Sequence, residues 1–357
     1  MKFDASLPPV ALKEVPAVAK AAEEFGFDAL WTSETQHDPF LPCALIAEHT
    51  QRLQFGTAIA VSFARSPATL AYTAWDLAVQ SGGRFILGLG TQVKAHIERR
   101  FGLPWPESVT SKLRDQILAI RALWDCWQKG TKLNFRSDYY KLTLMTPFFN
   151  PGPLPFPNSQ FRSLKRQLGR RAQDGVGSLI PIYIAGVNRG LAKLAGEQCD
   201  GFHVHPFHSV RYLREVILPA IGEGVKKEGR EMKDIAVSVT AFVATNAEEE
   251  NSARAHLAFY ASTPSYRSVM DIHGWGDTAE KLSAHAARGE WAEMPMLITD
   301  GMLDEFCLVT DETSLVSALK ERYIGIADRL AIYNPFLPGE KDELWRKFVH
   351  INRFRSI

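Results

Sequence analysis

Short apolar runs alternate along most of this chain with longer stretches in which apolar side chains recur at helical spacing. The first kind reads as buried strands and the second as amphipathic helices. Residues 1–7 form the first predicted strand, and residues 12–25, LKEVPAVAKAAEEF, the first helix, stopped by Gly26. Strands follow at 29–32, 54–60 and 85–89, with helices at 43–49 and 67–80. Over 109–128, Ile117, Ile120, Leu123, Trp124 and Trp127 lie on one helical face, so this aromatic stripe belongs to a core. A β-hairpin at 132–135 and 139–143, around Arg136, Ser137 and Asp138, reads as an embellishment. A second series comprises strands at 182–184, 202–204, 235–244 and 329–332. Its helices fall at 190–197, 210–227, 247–261, 265–272, 278–287, 314–322 and 343–353.

Strand-then-helix repetition implies parallel pairing with helical crossovers, and around eight buried strands favour a TIM (β/α)8 barrel with insertions over a doubly wound sheet. The pattern breaks over 147–181, where a proline-rich stretch, PFFNPGPLPFPN, precedes a cationic one, SLKRQLGRR. That segment is expected to be an insertion acting as a mobile cover over the pocket. Residues 1–357 are otherwise expected to form a single barrel domain.

Composition narrows the function. Hydrophobic residues at 46% and charged ones at 23% suit an ordinary globular core. The 41 basic and 40 acidic residues leave a net charge of +1, which argues against nucleic acid or a membrane surface as the partner. With no secretory leader pattern and no apolar run long enough to span a bilayer, the expected location is the cytoplasm. Cys43, Cys126, Cys199 and Cys307 are widely spaced and read as reduced packing residues, Cys199 within the helix before Asp200.

Candidate chemistry concentrates in residues 83–96, GRFILGLGTQVKAH, where an apolar strand empties into a small-residue turn and then a basic helix start. Such a turn presents backbone amides. Gly88 and Gly90 are expected to let a planar ring or a phosphate approach the backbone, the alternative being glycines that only let the strand turn. GLG resembles the opening of G-x-G-x-x-G, but Val93 stands at the third glycine and no acidic residue ends a following strand at the usual distance. The alternation His203, Val204, His205 puts two imidazoles on one side of a strand, like the H-x-H of metal-dependent barrel hydrolases. No further matching ligands follow, and no metal site is expected.

Three stretches together resemble the luciferase-like monooxygenase superfamily, which includes bacterial luciferases and deazaflavin-dependent reductases and dehydrogenases. They are AAEEFGFDALWTSE from Ala21, SGGRFILGLGTQ from Ser81 and PIYIAGVNRGLAKLAGEQCDGF from Pro181. The resemblance implies a barrel with a reduced flavin or deazaflavin at the C-terminal ends of its strands. It implies a non-prolyl cis peptide near Ala58 and Ile59, within GTAIAVSF, backing the ring. It carries ring-edge contacts onto the turn after Gly90, to Thr91, Gln92 and Val93. Phosphate contacts carry over to Ala185, Gly186 and Val187 after a sixth strand, and to His205, Pro206 and Phe207 after a seventh. Two departures stand out: the deazaflavin enzymes usually have glycine where Gln92 stands, and HPF replaces a small polar turn.

His37 is the candidate general acid, because the family often has a histidine directly after the second strand's acidic residue, here Glu34. This chain inserts residues between the two, and an ordinary loop histidine is the competing reading. Glu34 is the second catalytic candidate, as acid or orienting partner. Flavin mononucleotide (FMN) members commonly carry an arginine where Thr91 stands, so the resemblance favours coenzyme F420, a deazaflavin, over FMN. Its acidic tail is expected to meet Arg65, Lys94, Arg99 or Lys112 at the rim. The implied activity is hydride transfer to or from a small organic molecule. The alternatives are a two-component FMN monooxygenase, a non-catalytic partner subunit of a heterodimer and a metal-dependent hydrolase, and family resemblance suggests a homodimer.

Overall fold

Eight strands pair side by side in parallel until the last meets the first. They are β1 (Lys2–Ser6), β2 (Ala29–Thr32), β3 (Gln54–Thr57), β4 (Phe85–Gly90), β5 (Ile182–Gly186), β6 (Gly201–Val204), β7 (Ala236–Ala244) and β8 (Arg329–Ile332). Each pairs with its neighbour in chain order, and β8 joins both β7 and β1, closing the barrel. This computed structural model describes residues 1–156 and 180–350. The (β/α)8 expectation is therefore met. The strands numbered sixth and seventh from the sequence are the fifth and sixth, because no barrel strand lies between β4 and β5 among the described residues.

Helix bounds match the periodicity where a clear cap exists. Pro67–Gln80 starts behind Ser66, whose hydroxyl accepts the Thr69 amide at 3.1 Å, and Ala247–Ala261 behind Asn246, which accepts Glu249 N–H at 3.0 Å. The first helix begins only at Val15, after a 3₁₀ turn at Leu12–Glu14, with Pro16 in its opening turn. The helix Asp300–Phe306 and the strand Cys307–Val309, which extends the sheet beside the end of β7, were not anticipated. Both are too short for periodicity to register. The hairpin shrinks to Phe135–Arg136 paired with Lys141–Leu142. Of the 147–181 insertion, residues 157–179 lie outside the described set. What is described begins with a turn at Pro147–Phe149 and buries Leu154. Among the described residues no helix is long and apolar enough to cross a membrane.

Period-two alternation sorts each strand's side chains. Phe3, Leu30, Phe55, Leu87, Ile184 and Leu330 pack into the main core shared with the helices. The intervening residues point into the lumen. There Trp31 of β2 meets His203 of β6 edge to face at 4.8 Å and Tyr183 of β5 at 6.1 Å, although β2 pairs with neither strand. Beside them Arg329 of β8 donates to both carboxylate oxygens of Asp4 on β1 (2.7 and 2.8 Å) and to Gln54 Oε1 on β3 (2.9 Å). Trp31 Nε1–H adds a further donor to Asp4 at 2.9 Å. Both charges are nearly inaccessible, at 1% exposure for Asp4 and 2% for Arg329.

A charge that deep tolerates no loss of its partner. Arg329→Met should lower the unfolding free energy by about 3–5 kcal/mol, read from urea denaturation, because it strands the Asp4 carboxylate inside the barrel.

Candidate active site

The residues singled out from the sequence gather at one end of the barrel, where strands β2 to β6 finish, a run of five neighbours in the sheet. Ala58, Ile59, Gln92, Val93, Ala185, Gly186, His205 and Pro206 are all partly accessible there, while the strand residues beneath them are mostly buried. This is the end on which such barrels assemble their chemistry.

The Ala58–Ile59 peptide that follows β3 is cis, as the resemblance implied. Ala58 N–H donates to Thr32 O at 2.6 Å, and Ile59 O accepts Glu34 N–H at 3.1 Å, so the segment is tied to the end of β2. Beyond it, Ala60–Val61 pairs with Leu89 and Gly90 of β4. This crossing explains the glycines and corrects their reading. A Cβ on Gly88 would fall 1.6 Å from Thr57 O, and one on Gly90 would fall 2.6 Å from the Ile59 side chain. Thr57 completes the junction, its hydroxyl donating to Gly88 O at 2.5 Å and accepting Gly88 N–H at 3.0 Å. The missing Cβ atoms make room for the protein's own β3 segment rather than directly for a ligand.

His37 sits exposed on the 33–39 loop. Arg65 clamps that loop at two points, donating to Glu34 Oε2 at 2.6 Å and to Asp38 Oδ2 at 2.8 Å. Glu34 Oε2 also accepts Val61 N–H at 2.6 Å, and the Glu34 side chain is only 6% exposed. Thr32 Oγ1 donates to Pro39 O at 2.8 Å, and Arg100 donates to Thr35 O at 2.6 Å, fixing the loop further. Both contacts of Glu34 Oε2 thus go to holding the 33–39 loop against the segment after β3. Arg65, expected at the rim to meet an acidic tail, is instead committed to Glu34 and Asp38. Nothing in the periodicity signalled this clamp, because its members sit on two loops. Of the other expected rim cations, Lys112 lies 4.7 Å over the Phe63 ring, and exposed Lys94 pairs with Glu98 at 3.8 Å. Arg99 is also exposed.

At the end of β4, Gln92 adopts a positive φ of 58°, where a glycine would sit without strain. Its Oε1 accepts Val93 N–H at 3.1 Å, and the Thr91 hydroxyl donates to Gln92 O at 3.2 Å. This amide therefore already holds a carbonyl oxygen, the group a flavin or deazaflavin offers at its pyrimidine edge, and to that extent the turn fits such a ring.

On β5, Ala185 lies opposite His203 and Gly186 opposite Val204, and Val187 is buried. After β6, His205 Nδ1 accepts Phe207 N–H at 3.1 Å, which leaves the ring's proton on Nε2. Tyr260 and Tyr266 flank that imidazole at 4.8 Å each. Tyr260 also shares a 2.9 Å hydroxyl contact with Tyr333, just past β8. Both flanking tyrosines come from the long excursion after β7 and were missed, since two tyrosines around a Pro264 turn carry no distinctive spacing.

Burial governs the titrating groups. It pushes the Cys199 and Cys43 thiols up to about 12, which suits packing rather than nucleophilic roles, with Cys199 just past its helix rather than within it. His203 is driven down to about 3 by burial and then by nearby Arg329, and its Nε2 finds no partner among the described residues. The His205 ring, although its residue is partly accessible, is shielded from water between Tyr260 and Tyr266, and this desolvation lowers it to about 3.

The chain is thus a closed parallel (β/α)8 barrel with a close β3–β4 crossing at its glycines and an amide-presenting turn at its C-terminal mouth. The luciferase-like monooxygenase family model matches residues 2–329, and the chain belongs to that family. It is 41% identical over 336 residues to an uncharacterized protein of Mycobacterium tuberculosis, covering 92% of each chain. It is 28% identical over 298 residues to 5,10-methylenetetrahydromethanopterin reductase of Methanolobus tindarius, covering 81% of this chain and 80% of that one. The structure of the coenzyme F420-dependent tetrahydromethanopterin reductase of Methanopyrus kandleri shares the fold, with a TM-score of 0.71 at 21% identity over 97% of this chain and 96% of that one.

Two measurements check the site's supports. Arg65→Met should cost about 3 kcal/mol in chemical denaturation, since it leaves the Glu34 carboxylate buried without its cation. Between about pH 6.5 and pH 3 the unfolded chain binds a proton that folded His203 refuses, so stability should fall as pH drops, by at most about 1.4 kcal/mol per pH unit for this group. In thermal melts, His203→Gln should show a shallower decline in that window than the parent protein.

Proposed function

We propose that this protein is an oxidoreductase that moves hydride between coenzyme F420 and a small organic substrate. The observation that carries the reading is the turn after β4, where the Val93 amide holds a carbonyl oxygen beside the segment running from Ala58 to Val61. Family membership supports it, as does the likeness to reductases named for methanopterin chemistry. Thr91 stands where FMN members of the family commonly carry an arginine, and its buried hydroxyl is turned onto Gln92 O, which favours the deazaflavin over FMN.

When bound, the deazaflavin would supply or accept the hydride, chemistry no side chain offers. The protein's part is placement and protons. The amides of the 91–93 turn would hold the ring edge, with Ala58 and Ile59 behind it. The partly accessible end of β5 at Ala185 and Gly186, with Val187, and the 205–207 turn after β6 would receive the phosphate end. His37, on the exposed loop after β2 that Arg65 clamps, would donate or take the proton that accompanies hydride transfer. His205 stays neutral and offers Nε2–H as a hydrogen-bond donor rather than an acid. A homodimer in the cytoplasm is part of this proposal.

Titrating purified protein with oxidised F420 and, separately, with FMN, following fluorescence quenching, tests the reading. Tighter binding of F420 is expected; preference for FMN would replace it with a flavin-dependent monooxygenase. With a hydride acceptor in hand, His37→Ala should leave F420 affinity within about twofold and cut kcat by about 10²–10⁴. Unchanged turnover would remove His37 from the proton step.

A further inference from the structure

Gln92 does two unusual things at once. It holds a left-handed backbone, with φ at 58°, and it folds its side chain back so that Oε1 accepts the N–H of its own neighbour, Val93, at 3.1 Å. The residue is half-buried at the mouth, on the turn between β4 and the short helix at Lys94–Arg99.

A primary carboxamide carries C=O and N–H side by side in one plane. A cyclic imide, O=C–N–H, presents the same pair on the edge of a ring, and flavins and deazaflavins both end in such an edge. We propose that the Gln92 carboxamide is an internal stand-in for the imide edge of the ligand, occupying the Val93 amide until a planar ring displaces it. The inference rests on reading this mouth as a flavin or deazaflavin pocket.

Gln92 then becomes a determinant of affinity and selectivity. A ring binds only from the fraction of molecules in which the side chain has swung away, so apparent affinity falls by that fraction. A ring with an imide edge replaces the displaced hydrogen bond, whereas a ring without one leaves the Val93 amide unpaired and is rejected.

Two substitutions separate the side chain from the backbone. Gln92→Gly removes the carboxamide and relaxes the left-handed turn, while Gln92→Ala removes the carboxamide and keeps a Cβ on that turn. Oxidised F420 and FMN serve as probes in fluorescence titrations, with amide exchange at Val93 as a second readout. Both variants should bind the better probe at least about fivefold tighter than the parent. Val93 should exchange slowly in the unliganded parent, quickly in the unliganded variants, and slowly again once the ring is added. Unchanged or weaker binding in both variants would overturn the stand-in while leaving the pocket in place. Tightening in Gln92→Gly alone would assign the effect to backbone relaxation and overturn it as well. If none of the three proteins binds either probe, the pocket reading fails, and this inference with it.

Discussion

One buried ion pair, Arg329 to Asp4, spans the seam at which the barrel closes. The two residues are 325 positions apart, and their strands form the seam at which the first and last segments of the sheet meet. The guanidinium reaches a third strand through Gln54, and the carboxylate takes a second donor from Trp31. Four strands are thereby fixed from within the lumen. Gln54 and Arg329 open their strands, so this network braces the half of the barrel away from the mouth. Rigidity near one end and chemistry at the other is the usual division of labour in this fold.

The mouth itself is shaped by how closely β3 and β4 approach. Thr57 O stands where a Cβ of Gly88 would be, and Ile59 fills the space above Gly90. That crossing sets the short Ala60–Val61 pairing and brings Val61 N–H to Glu34. Glu34 in turn holds Arg65, which holds Asp38, and the loop carrying His37 is suspended between the two acids. The candidate proton donor is therefore placed by a chain of contacts that begins at a glycine.

Much of the fold was legible because strand and helix periods are local properties. The helices at Pro67–Gln80 and Ala247–Ala261 and the strand Arg329–Ile332 fall where the pattern of apolar positions puts them. The strand-end turn at Thr91–Val93 was legible for the same reason, since it follows an apolar run, whereas Ala185, Gly186 and Val187 were singled out by the family resemblance, and the strand before them runs on through Gly186. What the sequence misassigned depended on distant partners. Gly88 and Gly90 looked like space for a ligand until Thr57 and Ile59 were seen to fill it, and Arg65 looked like a rim cation until Glu34 and Asp38 met it. Tyr260 and Tyr266 lie on an excursion whose direction no local rule dictates.

By itself the sequence determined a parallel barrel, its strand ends and the family to which its motifs belong, because burial periodicity and short-range turn chemistry are written in neighbouring residues. Only the tertiary structure decided what those strand ends do. It turned two glycines into a strand crossing and an acidic residue into a clamp. It also gave one histidine a lumen position beside Trp31 and another a place between two tyrosines. Each of these outcomes depends on which residues, scores of positions apart, the closed sheet brings within hydrogen-bonding or van der Waals reach, and that distance is set by barrel closure rather than by any local pattern.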